Sequence, residues 1–199
     1  MIKLNTTLVI SFMGVDGVGK STLIKSLNKL LKKSSFKIKN LHLRPYLFLT
    51  DTRTVINNPH EEKSLNSKFI SLIRILIWLF MYHIFFLANL NKKKQLIIFD
   101  RYAHDLLIDK IRYRFNLPKK ITKFILDLFP RPHLWIILKA PIKLIEKRKK
   151  ELPTKELKRQ MREYLNFSKN KKNMIILDTN NKINKNISLI IKKMKAIVI

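Results

Sequence analysis

The chain has 199 residues, 42 Lys and Arg against 13 Asp and Glu, a formal charge of +29, and 46% apolar residues. That length fits one domain spanning residues 1–199 with a substantial core and at most a small lid. Zero cysteines exclude a disulfide scaffold, a thiolate zinc site and a cysteine nucleophile. The cationic excess runs through the whole chain alongside heavy use of Asn and Ile, which marks a global compositional bias. It still favours partners that carry phosphate, whether nucleotide, nucleic acid or anionic lipid.

Residues 8–13 form a short apolar run ending at Gly14, as a buried parallel strand does. The run is too short for a signal-peptide core and lacks a small-residue cleavage site, so a cytoplasmic location is expected. Residues 21–33 carry Leu23, Ile24, Leu27, Leu30 and Leu31 at helical spacing with lysines between them. A second strand is predicted at 38–43, followed by loop signals at Pro45 and Asn57-Asn58-Pro59. Residues 70–90 read as a long apolar helix. Its length suits a membrane span, but Arg74, His83 and Asn89 interrupt it and favour a helix buried against a sheet. Strands follow at 96–99, 134–138 and 174–177, with helices at 142–150, 155–167 and about 183–194. Strands alternating with helices predict an α/β protein: a three-layer parallel sheet with helices on both faces.

The most informative stretch is Gly14-Val15-Asp16-Gly17-Val18-Gly19-Lys20-Ser21, which satisfies G-x-x-x-x-G-K-[ST]. Average usage of about 7% would give roughly fourteen glycines in such a chain. It has three, and all lie here. A strand precedes the loop and an amphipathic helix follows it, so backbone N–H groups and the helix N-terminus converge on one point suited to phosphate. Gly14, Val15, Gly17, Val18 and Gly19, with Lys20, Ser21 and Thr22, are the expected ligands of ATP phosphates. Lys20 suits the β- and γ-phosphates, and the Ser21 hydroxyl suits Mg²⁺. Asp16 inside an anion-binding loop is costly. It either hydrogen-bonds a hydroxyl of the phosphoryl acceptor or faces solvent.

Asp100 and Arg101 close a predicted strand, and the carboxyl ends of strands line the ligand crevice in open α/β folds. The carboxylate suits Mg²⁺, directly or through water, and the guanidinium suits phosphate. Arg148-Lys149-Lys150 with Lys155, Lys158, Arg159 and Arg162 flank Pro153. They form either a solvated basic face or a lid over about 148–160 that closes on the triphosphate, with Arg148 as its leading cation. The five histidines show no metal-ligand spacing.

The set GVDGVGKST, LIIFDRY, LFPRPHLWIILKAP, RKKELPTKELKRQ and IILDTN resembles the thymidylate kinase family of P-loop nucleoside monophosphate kinases. The resemblance covers nearly the whole chain, in family order. It implies that Asp16 contacts the acceptor, Lys20 and Ser21 hold phosphate and Mg²⁺, and Arg44 grips the monophosphate. Asp100 and Arg101 would then organise magnesium and the phosphates, Arg148 would reach the donor from the lid, and Asp178-Thr179 would lie near adenine. Phe69 and Arg74 fall on the helix expected to meet the acceptor base. Two departures touch the acceptor: Arg44 is followed by Pro45-Tyr46, and the DRY motif by Ala103-His104-Asp105-Leu106-Leu107-Ile108-Asp109. With Arg112-Tyr113-Arg114, this second stretch resembles a divergent thymidylate kinase-like subgroup. Asp105, Asp109, Arg112 and Arg114 either line an altered acceptor site or make a helix-surface charge pattern.

The resulting expectation is ATP-dependent phosphoryl transfer to a nucleoside monophosphate, most simply dTMP. A sugar or lipid-linked acceptor is one alternative, and a noncatalytic nucleotide-binding module at a membrane or nucleic acid is another. The expected partners are ATP with Mg²⁺ and a small phosphorylated acceptor; a homodimer and contact with nucleic acid or anionic membrane stay open.

Overall fold

Five short segments, four of them ending in a polar or charged residue, pair as one parallel sheet. They are β1 (Thr7–Met13), β2 (Lys37–His42), β3 (Gln95–Asp100), β4 (Leu134–Lys139) and β5 (Met174–Asp178). The computed structural model describes residues 4–32, 34–43, 65–92, 94–149, 152–169 and 173–198. Strand order is β2-β3-β1-β4-β5, with every pairing parallel. All residues of β1 are buried, as a central strand covered on both faces requires. The register sets Phe12 and His42 beside Asp100, and Lys139 beside Asp178. The carboxyl ends of β1, β2 and β3 therefore finish side by side, and the first loop leaves from the middle.

The helices are α1 (Lys20–Leu31), α2 (Lys68–Leu90), α3 (Lys119–Asp127), α4 (Ile142–Arg148), α5 (Thr154–Phe167) and α6 (Ile183–Val198), with a 3₁₀ turn at Ala103–Leu107. Helix α1 buries Leu23, Ile24, Leu27 and Leu31 and leaves its lysines after Lys20 outside. Helix α2 is long and apolar enough to cross a bilayer, with a mean hydropathy of 2.1. It nevertheless buries a stripe of Ser71, Ile75, Trp78, Tyr82, Phe85, Phe86 and Asn89 inside the protein.

Two of its polar side chains and one backbone carbonyl make tertiary contacts. Ser71 Oγ accepts from the Asn116 amide at 2.9 Å, the Asn89 carbonyl accepts from Thr7 Oγ1 at 2.6 Å, and Arg74 donates to the Tyr113 carbonyl at 2.9 Å. The other face exposes Phe69, Ile73, Leu76, Ile77, Phe80 and Leu87. The expectation of a helix buried against the sheet holds for one face only.

Under α2, Tyr82 stacks on Phe99 and meets Tyr102 and Phe129 edge-on. Tyr102 then meets Trp135. Pairs of this kind add about 0.5–1.5 kcal/mol each beyond their buried area. This cluster anchors the chain immediately after β3, where the site begins.

Two segments differ from expectation. No helix was expected at α3, although Ile121, Phe124, Ile125 and Leu128 recur at helical spacing; it buries Thr122, Ile125 and Leu126 while Ile121 and Phe124 are exposed. Residues 108–114 are turns rather than α-helix, so Asp105, Asp109, Arg112 and Arg114 do not form a helical charge ladder.

Candidate active site

The loop between β1 and α1 takes its shape from its glycines. Gly14 has φ +148°, and a Cβ there would stand 2.9 Å from the Leu138 carbonyl oxygen. Gly19, at φ +103°, is the N-cap residue that turns the chain into α1. Only glycine adopts such angles without strain. Lys20 follows and folds back beneath the loop, donating to the carbonyls of Gly14 at 2.7 Å and Val15 at 2.9 Å. Its ammonium lies 3.8 Å from Asp16. Burial, reinforced by Arg101 and opposed by Asp16, pulls the Lys20 ammonium down to about 8.

Asp16 is the hub of the loop. Its Oδ1 accepts from Arg101 and its Oδ2 from Arg112, so each carboxylate oxygen carries one guanidinium. Burial alone pushes this carboxyl up, but Arg101, Lys20 and Arg112 together outweigh it and hold the group well below the ordinary carboxylate range. Arg101 is only 2% exposed and sits at φ +74°, its amide donating to the Phe12 carbonyl at 2.9 Å. A non-glycine residue in the left-handed region costs about 1–3 kcal/mol and persists only where its surroundings enforce it.

The second terminal nitrogen of Arg101 donates to Asp105 at 2.5 Å. Asp105 also accepts from Tyr164 of α5 at 3.0 Å and from Tyr113 at 3.2 Å. Breaking a buried ion pair of this kind costs about 3–5 kcal/mol. Arg101 is therefore locked from both sides.

Beside this hub, His42 Nδ1 lies 3.9 Å from Asp100. Burial lowers His42, partly offset by Asp100. Asp100 Oδ1 is buried without a hydrogen-bond partner among the described residues. On the opposite side Thr179 ties β5 to the loop, its hydroxyl donating to the Val18 carbonyl at 2.6 Å and accepting from Arg148 at 3.3 Å.

These groups line a cavity of about 700 Å³, a size suited to a nucleotide-sized ligand. Asp16, His42, Asp100, Arg101 and Arg112 stand at one part of its wall; Arg148, Lys149, Thr179, Asn181, Ile183 and Asn186 stand at another. Gly17, Gly19, Lys20, Ser21, Thr22 and Leu23 of the loop and α1 complete it.

Most of the expected residues thus meet at one cavity, with several exceptions. Asp105, expected to touch the acceptor, is fully buried and does not line the cavity, because its oxygens are consumed by Arg101, Tyr113 and Tyr164. Arg74 is also absent from the wall, its guanidinium being directed to the Tyr113 carbonyl. Gly14, Val15 and Val18 are buried beneath the loop, and the backbone carbonyls of all three are occupied, two by Lys20 and one by Thr179. Asp178 accepts from the Asn180 amide at 2.9 Å instead of lining the cavity. Arg44 lies outside the described residues, as do Lys150 and Glu151 of the expected lid.

Of the lid cations, Arg148 and Lys149 reach the cavity, whereas Arg159 is committed to Glu156 and to the Ile108 carbonyl. His42, Leu23, Asn181, Ile183 and Asn186 also line the cavity, although no motif or spacing assigned them a site role. Only His42 had a usable signal, since it lies near the carboxyl end of the strand predicted at 38–43, as Asp100 does at the end of another.

A glycine-turned loop at the carboxyl end of a central parallel strand, with lysine beneath it and a strand-end Asp-Arg pair beside it, defines a P-loop nucleotide-binding α/β protein. A sequence model of the family described as thymidylate kinase matches residues 12–190, and the chain belongs to that family. It is accordingly a kinase, of a family that uses ATP. Thymidylate kinase from Candida albicans is similar in structure, with TM-score 0.63 and 19% identity over 98% of this chain and 93% of the other. Thymidylate kinase from Ehrlichia chaffeensis gives TM-score 0.59 and 15% identity, over 94% and 98% of the two chains. The comparison with curated proteins finds no match.

Proposed function

We propose that this chain, as a single cytoplasmic kinase domain, transfers the γ-phosphoryl of ATP to a nucleoside monophosphate, with dTMP as the acceptor. The observation that carries the reading is the single cavity joining Lys20 and Ser21 of the phosphate loop to Asp16, Asp100 and Arg101. Donor phosphates would rest on the loop amides and the N-terminus of α1. Lys20 would leave the Gly14 and Val15 carbonyls for the β- and γ-oxygens, with Arg148 approaching from α4.

The donor set also fits Mg²⁺. Asp100 Oδ1 is a buried oxygen without a partner among the described residues, and the Ser21 side chain lines the same cavity. Ser21 and Asp100 would hold the ion, directly or through water, and bound there it would neutralise charge on the phosphates. The protein's own task is positioning and charge stabilisation, which is most of what phosphoryl transfer requires.

Residues 103–114 favour a second reading in which the phosphorylated acceptor is not a nucleotide, because their departure from the family pattern brings Arg112 to Asp16. A coupled ADP-release assay with dTMP, other nucleoside monophosphates and sugar phosphates tests both. Selective turnover of dTMP supports the first reading; turnover of a sugar phosphate alone supports the second.

A further inference from the structure

The DRY arginine, Arg101, is the residue that the family resemblance assigns to the phosphates, yet it is poorly placed to take one. It is 2% exposed, and its two terminal nitrogens are spent on Asp16 and Asp105. Gripping a phosphate with both would mean breaking a fully buried ion pair. Arg112 is placed differently. Its side chain is 19% exposed, it lines the cavity, and among the described residues its guanidinium has one acceptor, Asp16 Oδ2. A guanidinium has five N–H donors in a fork that matches phosphate oxygens, and among the described residues most of this one's donors have no acceptor. Its backbone is fixed by Asp109, whose Oδ1 accepts from the Arg112 amide at 3.3 Å.

We infer that Arg112 is the acceptor-phosphate clamp of this enzyme, held ready by Asp16, while Arg101 acts as a positioning residue that fixes Asp16. This rests on the proposed kinase reading and narrows its substrate class: the acceptor carries a phosphate, and a neutral hydroxyl compound would leave Arg112 without its ligand. When the phosphate binds, Arg112 passes from Asp16 to the phosphate oxygens. One carboxylate oxygen of Asp16 is thereby released toward the acceptor.

The test compares wild type with Arg112→Ala and Arg112→Lys, in steady state with ATP and dTMP and by calorimetry with dTMP, dCMP, UMP, AMP, GMP, thymidine and glucose 6-phosphate. Losing a charge-assisted contact to phosphate predicts a rise of about 10- to 100-fold in the acceptor KM of Arg112→Ala. The ATP KM should stay within about twofold, since donor and acceptor contacts are separate interactions. Arg112→Lys should recover part of the loss, because it keeps the charge and loses the fork. Wild type should bind dTMP more tightly than thymidine, and Arg112→Ala should erase that preference. A purely structural role would shift thermal stability without separating the two KM values.

An acceptor KM within twofold of wild type, or an equal rise in both KM values, overturns the clamp and leaves the kinase reading standing. A wild type that binds a monophosphate through Arg112 but never turns it over refutes the kinase reading and keeps the clamp. A wild type that binds none of these monophosphates, and no sugar phosphate such as glucose 6-phosphate, overturns the clamp.

Discussion

Asp105→Asn is the most incisive single change, because it keeps the shape of a fully buried side chain and deletes only its charge. In wild type the Arg101 guanidinium is compensated by Asp105 on one nitrogen and by Asp16 on the other. Removing one member of a buried pair costs about 3–5 kcal/mol. The lower end applies here, since Asp16 remains, giving about 3 kcal/mol. For a domain of this size each kcal/mol moves Tm by about 2–4 °C, so the midpoint should fall by roughly 6–12 °C.

Urea denaturation with an unchanged slope would assign the loss to stability rather than to a different unfolded state. Tyr164→Phe removes one hydroxyl donated to the same carboxylate and should cost about 1.5 kcal/mol. The decisive control is the pair Asp105→Leu with Arg101→Met. Exchanging both charges for apolar groups should recover much of what Asp105→Leu loses alone, stopping short of wild type because the Tyr164 and Tyr113 hydroxyls lose their acceptor, while Asp16 loses its Arg101 partner and turnover collapses. If Asp105→Asn unfolds within about 0.5 kcal/mol of wild type, a range ordinary for surface changes, Asp105 is not the counterion that locks Arg101, and the reasoning fails.

Lys20→Ala should keep the fold and abolish turnover, measured as ADP release alongside a far-ultraviolet dichroism spectrum. Because the buried Lys20 ammonium is pulled down to about 8, ATP affinity should fall as pH rises through 8. Binding at pH 8.5 should take up roughly 0.7 proton, read by calorimetry in two buffers of different ionisation enthalpy. Lys20→Arg should remove that proton uptake. For stability the sign is opposite: between about 8 and 10.5 the unfolded chain binds more protons at this lysine, so its contribution to stability rises with pH. Gly14→Ala should cost roughly 3 kcal/mol, from the left-handed φ and the 2.9 Å approach to the Leu138 carbonyl, and urea midpoints would show it.

What the linear chain determined by itself was local. The strand at Thr7–Met13, the glycines that follow and the amphipathic α1 are legible because periodicity and glycine conformation act within a few residues. The other strands and most helices were legible on the same ground, through apolar runs bounded by charges. The buried face of α3 was not, since its apolar spacing puts Ile121, Phe124 and Leu128 together, yet packing against α2 and the 3₁₀ turn leaves these exposed and buries Thr122, Ile125 and Leu126.

Only the tertiary structure decided which charges meet. Arg112 reaches Asp16 across 96 positions and Tyr164 reaches Asp105 across 59, distances at which no spacing rule operates. The same composition of charges around residues 100–114 is compatible with a solvated surface or with a site. Parallel register and the left-handed turn at Arg101 bury Asp105 behind Arg101 and bring Arg112 to the cavity. Long-range pairing of this kind depends on where whole strands dock, and docking is a property of the assembled core rather than of any stretch of sequence.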